Sequence, residues 1–172
     1  MSGGPRLRSK GATRPFHVVL VEPEIPPNTG NIARLAAATA SELHLVGKLG
    51  FQIDEHAVRR AGLDYWHLVT LRQHATFDHF EHAHASSGGA IHLFSATATQ
   101  SYLDAPLRPG DALVFGKESV GLAPELLERF PSTTWGIPTI GAVRSLNLAN
   151  AVSIVLYEAL RQSGALAPSF LG

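Results

Sequence analysis

The chain has 172 residues, 45% of them hydrophobic and 16% charged, with mean hydropathy +0.07 and formal net charge zero. Such a length supports one sizeable core rather than two independent domains, and the composition excludes wholesale disorder. No run approaches eighteen apolar residues, no signal-peptide core follows the start, and zero cysteines exclude disulfides, thiol nucleophiles and Cys-ligated metal.

Residues 1–15 hold Arg6, Arg8, Lys10 and Arg14 and no acid, leaving ten basic against fourteen acidic residues in the rest. The segment reads as a disordered basic tail, either a plain solvated terminus or an arm that touches a polyanion. After it, residues 16–164 form one domain and 165–172 a short C-terminal tail.

Apolar runs and helix-period segments then alternate. Phe16–Val21 is a β-branched strand, and Ile32, Leu35, Ala36 and Thr39 recur at helical spacing over Asn28–Thr39. Leu43–Val46 is a strand, 54–60 a short helix, Trp66–Leu71 a strand and Thr76–Ala85 a polar helix. Ile91–Phe94, Ala112–Phe115 and Thr134–Ile137 are short strands, Pro124–Arg129 a brief helix and Leu148–Gln162 a long apolar one. Strands alternating with helices predict an α/β domain, a mostly parallel sheet with helices on both faces. Ligands on such sheets sit beyond the carboxyl ends of the strands, where three unusual loops fall.

The first, Glu22–Gly30 (EPEIPPNTG), is stiffened by Pro26 and Pro27. Asn28 or Thr29 suits a helix cap, and Gly30 allows close approach to an anion at the helix N-terminus. A cap alone explains Asn28 and Gly30 but not Arg34, a basic residue on an Ala/Leu helix. The second, Gly116–Gly121 (GKESVG), follows the ALVF strand. Its backbone could meet a nucleoside while Glu118 orients a partner arginine; an ordinary strand–turn–helix connection explains it equally well. Neither loop is a dinucleotide fingerprint or a Walker loop. The third, Ile137–Asn150, brings Ser145, Asn147 and Asn150 to the start of an apolar helix, either to tie down the loop or to bind a ligand.

His79, His82 and His84 lie on one polar helix at spacings that do not put three ligands on one face, so they read as surface histidines and no metal is expected. No G-x-S-x-G elbow is present, which leaves hydrolase chemistry without a foothold.

Four segments in order, EPEIPPNTGNIARL, RRAGLDYW, LVFGKESVGL and IPTIGAVRSLNLANAVSIVLYEA, resemble the motifs of the SPOUT-class RNA ribose 2′-O-methyltransferases over about Phe16 to Gly164. The match is nearest to the members that act on the wobble nucleotide (cytidine or uridine) of tRNA. The resemblance implies a cytoplasmic homodimer whose C-terminal segment threads through a loop as a trefoil knot to form the S-adenosyl-methionine pocket. It places cofactor contacts on Ala96, Gly116, Gly121, Ile137, Ser145, Leu146 and Asn150. Arg34, Glu118, Ser145 and Asn147 correspond to the polar set around the transferred methyl, and Arg34, Arg59, Arg60 and Arg144 are candidate RNA contacts. The Val152, Val155, Leu156 and Leu160 face of the last helix suits a dimer interface. The chain departs from the pattern at Val120, where relatives carry a basic residue, and at Gly141-Ala142-Val143 in place of Pro-Asp-Ser; both loops border the RNA side.

The leading expectation is therefore an S-adenosyl-methionine-dependent tRNA 2′-O-methyltransferase acting at the wobble position. The alternatives are the same chemistry on another tRNA or rRNA nucleotide, a non-catalytic RNA-binding dimer, or a nucleotide-binding protein.

Overall fold

Short, mostly buried strands build the frame, and a computed structural model describes residues 6–53 and 66–169. Six strands lie in one wholly parallel sheet: β2 (His17–Val21), β3 (Glu42–Val46), β4 (Thr70–His74), β5 (Ile91–Phe94), β6 (Ala112–Phe115) and β7 (Thr134–Trp135). Their spatial order is β4-β3-β2-β6-β5-β7. The chain starts mid-sheet at β2, builds outward to β4, then crosses over to β5 and returns to β6 beside β2. Connections therefore diverge between β2 and β6, the place where an open parallel sheet leaves a crevice at its carboxyl end.

Both faces of the sheet are covered. Helices α1 (Pro26–Thr39) and α4 (Leu148–Gln162) pack on one face with Val18, Leu20, Leu43, Leu45 and Leu113. On the other face, α2 (Phe77–Ala85) and α3 (Pro124–Arg129) cover Val19, Val46, Leu93 and Val114 through Phe80, Leu122 and Leu126. Successive β2 side chains thus enter opposite cores, which is why the run is apolar throughout.

The α4 face expected at a dimer interface serves the chain itself. Val152, Val155, Leu156 and Leu160 are buried against α1 and the sheet, because a parallel sheet needs an apolar helix on each face. Each such side chain contributes about 2 kcal/mol of burial. The outward side of α4 instead carries the exposed Ile154 and Tyr157.

Three further expectations shift. Trp66–Leu68 is a turn of 3-10 helix, and the adjacent strand begins at Thr70, where pairing with Glu42–Val46 sets the register. The last strand stops at Trp135, with Gly136 only bridging to Ser101. The basic N-terminal segment, expected as a disordered tail, is tied down within the described residues. Strand β1 (Arg8–Ser9) pairs antiparallel with β8 (Pro168–Ser169), which falls within the expected C-terminal tail. Arg14 donates to the carbonyls of Ser87 and Pro109, the second at 3.0 Å. The expected helix over 54–60 lies outside the described residues. No helix among those described is long and apolar enough to cross a membrane.

The polar interior concentrates at two places. His92 is fully buried, meets the Asp111 carboxylate at 3.1 Å through Nε2, and accepts the Trp135 indole N–H at 3.0 Å, joining β5, β6 and β7. In a second group, His44, His74 and His84 pack against the Phe80 ring, and His17 packs against His44 and His84. Burial, with His17 and His74 alongside, pushes the His44 imidazole down to about 3, and burial lowers His17 and His84 as well, so these rings are neutral at neutral pH. His79 and His82 are exposed as expected of surface histidines; His84 is buried, one helical turn from Phe80 on the same face.

Candidate active-site cleft

A cleft of about 610 Å³ opens at the carboxyl ends of β5, β6 and β7. Its walls are the loop 95–97, the loop Gly116–Gly121, and the segment 137–148, with Ile25 and Asn28 closing one side. The size suits a ligand of a few hundred daltons. The floor is apolar (Phe94, Phe115, Ile137, Leu148), with the Phe94 and Phe115 rings stacked at 5.0 Å, whereas the rim is polar and partly basic (Ser95, Thr97, Lys117, Ser145, Arg144).

The rim is held by a clasp between two of the loops. The Glu118 carboxylate accepts from the backbone N–H of Glu24 (2.8 Å) and Ile25 (3.1 Å) and from the Asn28 amide (3.2 Å). In return the Glu24 carboxylate accepts from the Ser119 N–H (3.0 Å) and hydroxyl (2.9 Å), and Lys117 donates to Glu22 at 3.2 Å. Burial would raise the Glu118 carboxyl; the N–H groups of Glu24 and Ile25 and the Asn28 amide outweigh it and hold it below its ordinary value. Glu118 thus anchors the entry to α1 and does not orient an arginine among the described residues. It stands at the positive end of that helix, where Pro26 and Pro27 lack N–H groups and Ile25 gives no side-chain cap.

Asn28 is therefore not the cap expected from the sequence. It lies inside the first turn, buried, and passes the clasp on: its Oδ1 accepts from the Asn147 amide at 3.1 Å. The Asn147 Oδ1 in turn accepts from the N–H of Ala149 (2.9 Å) and Asn150 (3.3 Å), capping α4. A continuous chain Glu118–Asn28–Asn147 thus ties together the starts of α1 and α4 and the loop after β6. Gly116 is required by contact: a Cβ there would run into the backbone of Gly121 and Leu122. Gly121 turns the loop at φ +72°.

Of the residues singled out in the sequence, Ala96, Gly116, Glu118, Gly121, Ile137, Arg144, Ser145, Leu146 and Asn147 line the cleft. Asn150 does not line it and meets Asn147 through its backbone instead. Arg34 is exposed on α1, six residues beyond Asn28, and is also not part of the lining. Arg59 and Arg60 lie outside the described residues. Sequence reasoning missed Phe94, Phe115 and Lys117 as lining residues and Asn28 as the hub. An amide directly after two prolines at a helix start was the available signal for Asn28.

The chain with this wholly parallel sheet and three-loop cleft belongs to the SpoU rRNA Methylase family, whose profile matches residues 15–157. Among curated relatives, a tRNA (cytidine(34)-2′-O)-methyltransferase of Burkholderia pseudomallei (strain 1106a) is 47% identical over 150 residues, 87% of this chain and 96% of that protein. One from Acidovorax sp. (strain JS42) is 47% identical over 89% of this chain and 95% of its own. A solved structure described as giving insight into 2-OH methylation of C/U34 on tRNA superposes with TM-score 0.80 at 49% identity, covering 87% of this chain and 96% of its own. An AdoMet-bound rRNA methyltransferase from Sinorhizobium meliloti gives TM-score 0.73 at 29% identity, over 88% of this chain and 57% of that one.

Proposed function

We propose that this protein transfers a methyl group from S-adenosyl-methionine to the ribose 2′-hydroxyl of nucleotide 34, the wobble position, of tRNA. The observation that carries the reading is the cleft itself: the three loops whose motifs resemble the 2′-O-methyltransferases converge on one site held by the Glu118–Asn28–Asn147 chain. The names of the relatives in Burkholderia and Acidovorax support the substrate.

The lining fits the cofactor. Phe94, Phe115, Ile137 and Leu148 would hold the purine, and the loop backbones at Ala96, Gly116, Gly121 and Leu146 would supply its hydrogen-bond partners. When bound, S-adenosyl-methionine supplies an electrophilic methyl on a sulfonium that leaves as a neutral thioether. The chain's residues then have to position the ribose and dispose of one proton. Ser145 and Asn147 stand at the rim as hydroxyl and amide partners for the 2′-oxygen, and Glu118 acts through Asn28 as a positioning residue. A guanidinium is not a general base, so Arg34 serves as a phosphate or alkoxide stabiliser, and the proton leaves to water or a neighbouring group. Arg144, at the rim, and Arg59 and Arg60 are the RNA contacts in this reading.

A homodimer and a threaded C-terminal knot belong to the same proposal. The exposed Ile154 and Tyr157 of α4 and the exposed Ile25 beside the cleft support a partner surface. The expected location is the cytoplasm, with the tRNA.

The test is incubation with tRNA and methyl-labelled S-adenosyl-methionine, followed by digestion and mass spectrometry. Label on the 2′-oxygen of nucleotide 34, lost in Arg34→Ala with tRNA affinity retained, is the expected result. Label on another nucleotide overturns the position, and no label on tRNA or rRNA with cofactor bound overturns the reaction.

A further inference from the structure

At the other end of the sheet, the amino ends of β2 and β3 bring together three metal-ligating side chains that the proposed reaction does not use. His17 opens β2, Glu42 opens β3, and the two are register partners; His44 follows two residues on, so it shares the face of Glu42. The His17 Nδ1 and His44 Nε2 lie 2.9 Å apart, and Glu42 Oε2 stands 3.5 Å from the first and 3.6 Å from the second. We propose that His17, Glu42 and His44 bind one divalent transition-metal ion, with zinc as the best fit.

The geometry carries this. A point equidistant from the three donor atoms lies about 1.9 Å from each within their plane, and moving it less than 1 Å out of plane gives 2.0–2.1 Å, the zinc–imidazole and zinc–carboxylate bond length. Two neutral imidazoles and one carboxylate are a borderline donor set, suited to zinc and unsuited to magnesium or calcium, which take oxygen shells. The His17 and Glu42 side chains keep 13% and 21% exposure, which leaves the fourth position to water, while His44 is buried at 6%.

A supporting shell is in place. The His44 Nδ1 meets the His74 Nε2 at 2.9 Å, so ligation through Nε2 leaves the other ring nitrogen a fixed partner. The His84 ring packs edge-on against His17 at 5.0 Å, and its Nε2–H donates to the Gly89 carbonyl, which leaves it outside the ligand set. Arg72 shares the same Glu42 oxygen at 3.1 Å; its side chain is 58% exposed and can turn into water as the ion enters. The sequence offered His79, His82 and His84 as the only histidine cluster, and the strands assemble a different one.

The test uses the full chain without a polyhistidine tag, stripped with chelator and titrated with ZnCl₂ by calorimetry. One zinc per chain is expected, with a zinc-dependent rise in melting temperature. His17→Gln and Glu42→Gln should each lower affinity at least tenfold while keeping the metal-free circular dichroism spectrum, and His79→Gln with His82→Gln should leave it unchanged. CoCl₂ added to the unmodified chain should give the intense visible absorption of a four-coordinate ion. Absence of saturable binding, equal affinity in the His17 or Glu42 variant, loss in the His79/His82 variant, or the weak spectrum of six-coordinate cobalt would each overturn the site.

Discussion

Replacing Glu118 with alanine removes an acceptor that three donors from the α1 entry share. A hydrogen bond to an ionised group contributes about 1.5–3 kcal/mol when buried, and water competes at this half-exposed position, so roughly 1 kcal/mol per bond is the appropriate scale. The loss should total about 2–3 kcal/mol, which for a chain of this length lowers the melting temperature by roughly 4–12 °C. Glu118→Gln keeps one carbonyl oxygen and the shape, and should cost about half as much. Urea titration of both variants, followed by circular dichroism, measures the difference directly. Because Asn28 loses one of its two partners, S-adenosyl-methionine affinity should fall in parallel. An alanine variant within 0.5 kcal/mol of the parent, a margin typical of inert surface positions, would refute the clasp as a stabilising device.

Acid should act on the same contacts. The Glu118 carboxyl lies below its ordinary 4.5 and the Asp111 carboxyl below its ordinary 3.8, the latter because the His92 hydrogen bond and the N–H groups of Arg108 and Ala90 outweigh burial. The unfolded chain therefore binds these protons first, and stability present above about pH 5 is lost as pH falls toward the folded values; urea midpoints from pH 7 to 3 should show this, with a shallower decline in Glu118→Gln. Gly116→Ala should destabilise by about 2–3 kcal/mol and abolish cofactor binding, since its Cβ meets backbone that cannot yield; thermal melts with and without S-adenosyl-methionine check both. Trp135→Phe strips the donor from buried His92 Nδ1 and should cost about 1–3 kcal/mol in chemical denaturation, with little effect on the tRNA Kd. Arg144→Ala should weaken tRNA binding and lower the slope of log affinity against log salt by about one, measured by filter binding at several ionic strengths.

Local chemistry made the frame legible. Ala112–Phe115, Pro124–Arg129 and Leu148–Gln162 follow from apolar runs, a proline start and helical spacing, and the elements match those limits. Where pairing decides, reading along the chain slips: Thr70–His74 is largely polar and is a strand because β3 offers it an edge. The same division holds at the cleft. Its loops were visible as Pro, Gly and amide clusters, whereas the role of Asn28 depends on partners 90 and 119 residues away. Arg34 was singled out for being basic on an apolar helix, a signal that says nothing of which way the side chain faces. His84 shows the reverse failure: its spacing from Phe80 placed it on the inward face, and only attention to charge hid that.

The antiparallel contact between Arg8–Ser9 and Pro168–Ser169 sets the two extremities of the described chain side by side. A short peptide joining them would turn the molecule into a covalent ring with little strain. Ring closure preserves topology: a ring sealed after folding keeps any entanglement through denaturation, and a ring sealed while denatured can never acquire one. Comparing the refolding of the two products therefore converts the question of threading into one of permitted and forbidden paths.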